Sequence, residues 1–190
     1  LLFLAGIPVR IGYSRNCRGF LLTHTQKPLR KKGRIVPVNE VEVDLGLCQL
    51  LGCTDLSTRT ELSTSAEARS WVDAFFAERG ITAADFIVCV IPGATFGPSK
   101  CWKEDYFARV CDGLIAQYGA KILVLPGPGE LPIARRIVGH MQEKPVDMGD
   151  VIVPLDVLIA LISSCGLLIT NDTGPRHFGV AFDKPVVVIM

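Results

Sequence analysis

From residue 81 onward, short continuous apolar runs alternate with apolar positions at helical spacing. Phe86 to Ile91 is a β-branched apolar run, the pattern of a strand buried on both faces. After a glycine-bearing loop, Phe107, Val110, Cys111, Leu114, Ile115 and Tyr118 recur with a helical period, and Gly119 stands where a helix C-terminus favours glycine. Lys121 to Leu125 reads as the next strand. Gly127-Pro128-Gly129 then turns the chain into a helix with Leu131, Ala134, Val138 and Met141 on one face. Val151 to Val153 predicts a strand, Leu155 to Ser164 a helix, Leu167 to Thr170 a strand, Gly174 to Phe182 a helix, and Pro185 to Ile189 a buried strand. This succession implies right-handed crossovers and a parallel sheet with helices on its faces.

The first eighty residues behave differently. Ile7 to Tyr13 reads as a strand and Val41 to Leu51 as a helix, but Arg15 to Lys32 has no clean period. The segment after Leu62 is a stronger helix: Thr64 and Glu67 have capping-box spacing, Ala68, Trp71, Val72, Phe75 and Phe76 make one apolar face, and Gly80 ends it. A boundary near Gly80 to Asp85 divides the chain into domains 1–82 and 83–190. The chain opens at Leu1 without a Met and stops just after an apolar strand, so it reads as a piece of something longer. Val151 to Thr170 has the length of a membrane span, yet Pro154, Asp156, Ser163-Ser164 and Gly166 punctuate it into shorter elements.

Composition narrows the function classes. With 49% hydrophobic and 21% charged residues, a disordered chain is excluded, and a net charge of +1 argues against a nucleic-acid partner. The seven Cys form no CxxC pair and no zinc spacing, so they read as reduced thiols in a cytoplasmic protein, with no metal expected.

Candidate chemistry lies in three loops that follow strands. NDTGPRH, Asn171 to His177, sits between an apolar strand and an apolar helix. Asp172 or Thr173 can cap that helix, and Pro175 suits its first turn. Unpaired amides of Thr173 and Gly174 at such a helix start suit a phosphate, with Asp172 and His177 flanking it; ordinary capping explains the first two positions but not His177. PGATFGPSKCW, Pro92 to Trp102, offers Thr95, Ser99 and the cation Lys100 between close-approach glycines, without a Walker or GxGxxG pattern. Lys100 alone would read as a solvated surface residue. In the third loop, Glu130 of GPGE can accept hydrogen bonds from ribose hydroxyls.

PGATFGPSKCW, LPGPGE and TNDTGPRH, in this order and spacing, resemble glycosyltransferase family 9, the bacterial lipopolysaccharide heptosyltransferases. AGIPVRIGYSRNCRGFLLTH, Ala5 to His24, is similar to the same family and closer to its heptosyltransferase II branch. The resemblance implies an α/β fold of GT-B type, two Rossmann-like domains with parallel sheets, here truncated at both ends. It implies an inverting, metal-independent transfer of heptose from ADP-L-glycero-β-D-manno-heptose to the lipopolysaccharide core, without a cofactor. The enzyme would be cytoplasmic and peripheral at the inner membrane face.

Carried over by position, Lys100 would contact the diphosphate with Thr95 nearby, and Thr173 and Gly174 would give amides to the phosphates. Asp172 and His177 would approach the heptose or its phosphate, and Glu130 would hold the ribose. The family's general base, an Asp in the first strand-to-helix turn, is expected upstream of Leu1. Cys101 and Phe178 depart from the family's usual residues. Arg10, Arg15, Arg18, Lys27, Arg30, Lys31, Lys32 and Arg34 make the N-terminal part basic, which fits either a solvated loop or attraction to the anionic lipid acceptor. The rival readings are another GT-B nucleotide-sugar enzyme, such as an epimerase, which would yield no glycosylated product, and a non-catalytic nucleotide-binding module. A fragment of this kind is expected to bind donor poorly and turn over nothing.

Overall fold

A computed structural model describes residues 2–93 and 100–190. The chain forms two compact units, Leu1–Thr60 and Glu61–Met190. This division falls earlier than the expected 82/83 boundary. The helix Ala66–Glu78 belongs to the second unit, because its Ala68, Val72 and Phe75 are buried in that unit's core.

In the first unit, β1 (Ile11–Tyr13) pairs in parallel with β2 (His24–Gln26). β3 (Arg30–Lys31) and β4 (Arg34–Ile35) form an antiparallel hairpin. The aperiodic stretch after Arg15 therefore contains a 3-10 turn at Gly19–Leu21, β2 and the first hairpin strand, each too short to print a period. Helix α1 (Glu40–Leu50) starts at Asn39, whose side chain accepts from the Val41 amide, and Glu40 and Glu42 complement the helix dipole.

The second unit is a three-layer α/β sandwich. Its four-stranded sheet has the order β6-β5-β7-β8, all parallel: β5 (Ile87–Ile91), β6 (Lys121–Val124), β7 (Leu167–Asn171) and β8 (Val186–Ile189). Alternation along β5 explains its unbroken apolar run. Ile87, Cys89 and Ile91 enter one core with α2 (Ala66–Glu78) and α5 (Leu155–Ser164), while Val88 and Val90 enter the other with α3 (Glu104–Tyr118) and α4 (Leu131–His140). Helix α3 ends as expected, on Gly119 in the left-handed conformation at φ 63°.

Several expectations shift by a residue or a face. Ser65, not Thr64, caps α2, accepting from the Ala68 amide at 3.0 Å, while Thr64 accepts from Arg69. On α4 the buried positions are Ala134 and Ile137, and Val138 is 42% exposed. The sequence offers two overlapping apolar stripes on that helix, and the β6 side of the sheet selects the one through Ile137. Val151 to Val153 is not a strand. The adjacent segment makes one sheet-like bond, from the Val146 amide to the Ile122 carbonyl, and no ladder follows it. β8 lies at the sheet edge, with Val187 49% exposed, rather than buried. The Val151 to Thr170 stretch contains the ten-residue α5 and most of β7, and among the described residues no helix is long and apolar enough to cross a membrane. Cys89, Cys111 and Cys165 are buried, and burial pushes the Cys111 thiol up to about 12, so that it serves as a small hydrophobe.

The choice between the α4 stripes gives a stability test. Ile137→Ala should cost about 2–4 kcal/mol in urea unfolding of this chain, and Val138→Ala less than about 1 kcal/mol. Equal costs would place the buried face of α4 elsewhere.

Candidate functional site

The strand order locates the site. The chain lays β6 on one side of β5 and then returns to lay β7 on the other, so β5 and β7 form a topological switch point. Past β5 the chain enters α3, in one core cluster; past β7 it enters α6 (Pro175–Ala181), whose Phe178 packs on the other. Loops that diverge in this way leave a crevice at the carboxyl ends of their strands.

Asn171 ends β7 and is fully buried. Its Nδ2 donates to the Pro92 carbonyl at 2.6 Å, and its Oδ1 accepts from the Trp102 amide at 3.3 Å. One side chain thus ties β7 to both ends of the loop that follows β5. In the next residue, Asp172 Oδ2 lies 3.0 Å from Lys100 Nζ, and its Oδ1 pairs with Arg176 four residues on. Arg176 Nε also donates to His177 Nε2 at 3.1 Å, and His177 itself is exposed. The hydrogen bond from Lys100, together with the charges of Arg176, Lys100 and His177, holds the Asp172 carboxyl below the usual carboxylate range. Two cations, Lys100 and Arg176, thus converge on the Asp172 carboxylate.

Glu130 precedes α4 and closes the third loop by accepting from the Gly127 amide at 2.8 Å. Its carboxyl lies against Gly93, where any Cβ would fall on the carboxyl atoms. A side chain at position 93 would therefore have to push the Glu130 carboxyl out of its place. Glu130, Gly93, Gly127 and Thr173 line a cavity of about 590 Å³, with Leu125 and Leu158 supplying apolar walls. Among the described residues, the Thr173 and Gly174 amides have no acceptor within the chain. A slightly larger cavity, about 650 Å³, lies beside α4, but there the rim charges Arg135 and Asp150 are paired to each other at 3.0 Å.

The structure thus joins Lys100 to Asp172 and places Glu130 and Thr173 on one cavity. It leaves His177 at the surface beside Arg176. Thr95 lies outside the described residues, as does Ser99. Neither Asp172 nor Thr173 caps α6. Its N-cap is Gly174, with no side-chain bond, because Asp172 is drawn to two cations instead; Pro175 occupies the first turn as expected. Sequence reasoning gave no role to Asn171 or Arg176. The signal for Arg176 was its i, i+4 spacing from Asp172. For Asn171 it was a polar residue at the end of an apolar run where a core position falls.

The family pattern described as Glycosyltransferase family 9 (heptosyltransferase) matches residues 1–189. "Lipooligosaccharide heptosyltransferase 2" of Haemophilus influenzae is 28% identical over 109 residues, covering 54% of this chain and 30% of that protein. "Lipopolysaccharide heptosyltransferase 3" of Escherichia coli is 28% identical over 188 residues, covering 95% of this chain and 52% of that protein. The chain spans about half the length of these curated relatives or less. A solved glycosyl transferase family 9 protein from Veillonella parvula superposes with a TM-score of 0.77 at 27% identity, over 95% of this chain and 50% of that one.

Two outcomes follow from the geometry. Asn171→Ala leaves the Pro92 carbonyl and the Trp102 amide without their partner and should cost about 1–3 kcal/mol in denaturant unfolding. A carboxyl NMR titration should place the Asp172 midpoint below the ~3.9 reference, and Lys100→Met should raise it toward that reference. A lowered native pKa means that this stabilisation is present above the unfolded value and lost as pH falls through the native one. The stabilities of the parent and Lys100→Met chains should therefore converge in acid.

Proposed function

Because this chain belongs to glycosyltransferase family 9, the heptosyltransferase family, across residues 1–189, we propose that it is the donor-binding part of an enzyme that transfers heptose to the lipopolysaccharide core. The observation that carries this reading is the cationic centre at the switch point, where Lys100 and Arg176 flank Asp172 beside the cavity of Glu130 and Thr173. A nucleoside diphosphate sugar fits its chemistry. The diphosphate takes up Lys100, Arg176 and the amides of Thr173 and Gly174, and Glu130 receives the ribose hydroxyls on the oxygen that Gly127 leaves open. The apolar walls at Leu125 and Leu158 then suit the base.

The donor in this reading is ADP-L-glycero-β-D-manno-heptose, and the acceptor is a core saccharide on its lipid at the cytoplasmic face of the inner membrane. The acceptor hydroxyl attacks the anomeric carbon as the bond to the diphosphate breaks, so configuration inverts. Negative charge gathers on departing ADP, and the fixed cations and amides stabilise that charge more in the transition state than in the ground state. On this view Lys100 and Arg176 do the work that a divalent metal does in other transferases. The proton of the attacking hydroxyl goes to a general base outside the residues assigned here. Asp172 is unsuited to that task, because a carboxylate held below its ordinary range by two cations is a weak base.

Calorimetric titration of this chain with ADP tests the site. Lys100→Ala should weaken ADP binding about tenfold or more, and unchanged affinity would remove Lys100 from the diphosphate. For the whole protein, incubation with ADP-heptose and a core acceptor should give a glycosylated product even with a chelator present. A nucleotide-sugar product without acceptor glycosylation would indicate an epimerase instead.

A further inference from the structure

Helix α1 ends in a hydrogen-bonded turn that brings two cysteines together. Its C-cap is Leu51, and the Gly52 amide donates to the Gln49 carbonyl at 2.9 Å. The Cys53 amide donates to the Cys48 carbonyl at 3.2 Å. These are the two bonds of a Schellman motif, and Gly52 supplies its left-handed residue at φ 87°. In such motifs the side chain two places past the cap commonly meets the one three places before it. Here those two positions are Cys53 and Cys48. A direct bond from the amide of one residue to the carbonyl of another also keeps their Cα atoms within about 7 Å, the limit for a disulfide. Cys53 is exposed and Cys48 half-buried, whereas Cys89, Cys111 and Cys165 are buried in the cores of the other unit.

Any pair of small apolar side chains would serve the motif if its task were only to cover the helix end. Cys53 gains little from that role, because its side chain stays in contact with water. Sulfur at both positions adds a chemistry that other residue types lack. Two thiols at the surface can turn about χ1 and close a ring while the backbone keeps its hydrogen bonds. The exposed Cys53 thiol is the one open to an oxidant, and Cys48 is the thiol placed to resolve it. The pair has no third metal-ligating side chain beside it among the described residues, fewer than a structural zinc requires.

We propose that Cys48 and Cys53 form a reversible dithiol–disulfide site whose oxidant is a hydroperoxide. First the Cys53 thiolate attacks one oxygen of hydrogen peroxide: an S–O bond forms, the O–O bond breaks, and the departing hydroxide takes up the thiol's proton and leaves as water. The Cys48 thiolate then attacks the sulfenic sulfur: the S–S bond forms, the S–O bond breaks, and a second water leaves. In all, the two thiols give up two electrons and two protons, and the peroxide is reduced to two waters. A dithiol reductant reverses the change by exchange. The disulfide staples the end of α1 to the turn that follows it.

Non-reducing peptide mapping tests it. No Lys or Arg lies between Arg34 and Arg59, so trypsin releases residues 35–59 as one peptide that holds Cys48, Cys53 and no other cysteine. After the folded chain has been treated with hydrogen peroxide and its remaining thiols alkylated with N-ethylmaleimide, this peptide should carry no label. It should also weigh two hydrogen atoms less than its reduced form. Dithiothreitol added before alkylation should return it to full labelling at both thiols. Cys53→Ser should abolish the loss of the two hydrogens, and Cys17→Ser, which removes the other exposed thiol of the same unit, should leave it unchanged. A peptide still labelled at both cysteines after exhaustive peroxide treatment would overturn the proposal. So would a disulfide to the peptide that carries Cys17, or a sulfinic acid at Cys53 with Cys48 still open to the label.

Discussion

The candidate site depends on one buried amide. Asn171 stands at the end of β7 where the pattern of the strand calls for a core residue, and it makes hydrogen bonds with the Pro92 carbonyl and the Trp102 amide, on either side of the loop after β5. A buried amide is tolerated only when its donors and acceptor are satisfied. Pro92 and Trp102 must therefore stay in place for β7 to end as it does, and the strand end holds both of them there. That reciprocity brings Lys100 to within 3.0 Å of Asp172, across 72 residues of sequence.

Around this junction the site is organised by an imbalance of charge. Asp172 accepts from Lys100 and pairs with Arg176, so one carboxylate holds two cations in place at the crevice. In the proposed function a diphosphate would compete with Asp172 for partners that are already positioned, which limits the reorganisation needed for binding. The same arrangement fixes what Asp172 cannot do, because the cations that hold it in place also lower its basicity. A second imbalance runs along the chain, with the first 39 residues basic and the rest acidic, and its cations are concentrated in an exposed hairpin remote in sequence from the crevice residues.

Much of the second unit was legible because β5, β6 and β7 are buried on both faces. A run such as Ile87 to Ile91 has no polar position to confuse it, and Gly119 marked the helix end where the structure puts it. The misreadings occur where two neighbouring residues could serve equally well. Thr64 and Ser65 are both capping hydroxyls, and Ser65 wins because its register turns Ala68, Val72 and Phe75 inward. On α4, Ile137 and Val138 lie on overlapping apolar stripes, and packing against the sheet selects Ile137. Val151 to Val153 has strand-forming residues but no ladder partner, and β propensity without a partner does not make a strand. Within the site, the three loops were visible from their glycines and polar residues. The Arg176 ion pair and the Asn171 anchor were not, since each depends on what stands opposite.

The sequence by itself determined the order of strands and helices from β5 to β8, apart from the strand expected at Val151 to Val153, together with the glycine turns at the strand ends and the family, because these depend on periodicity and on residues close along the chain. Tertiary structure alone decided that β7 inserts beside β5 rather than beyond β6. It also decided that Asp172 faces Lys100 instead of capping its own helix, and that Glu130 closes onto Gly93. The reason is physical: a strand's sheet neighbour and a carboxylate's counter-ion are chosen by distance in space, after the core has packed.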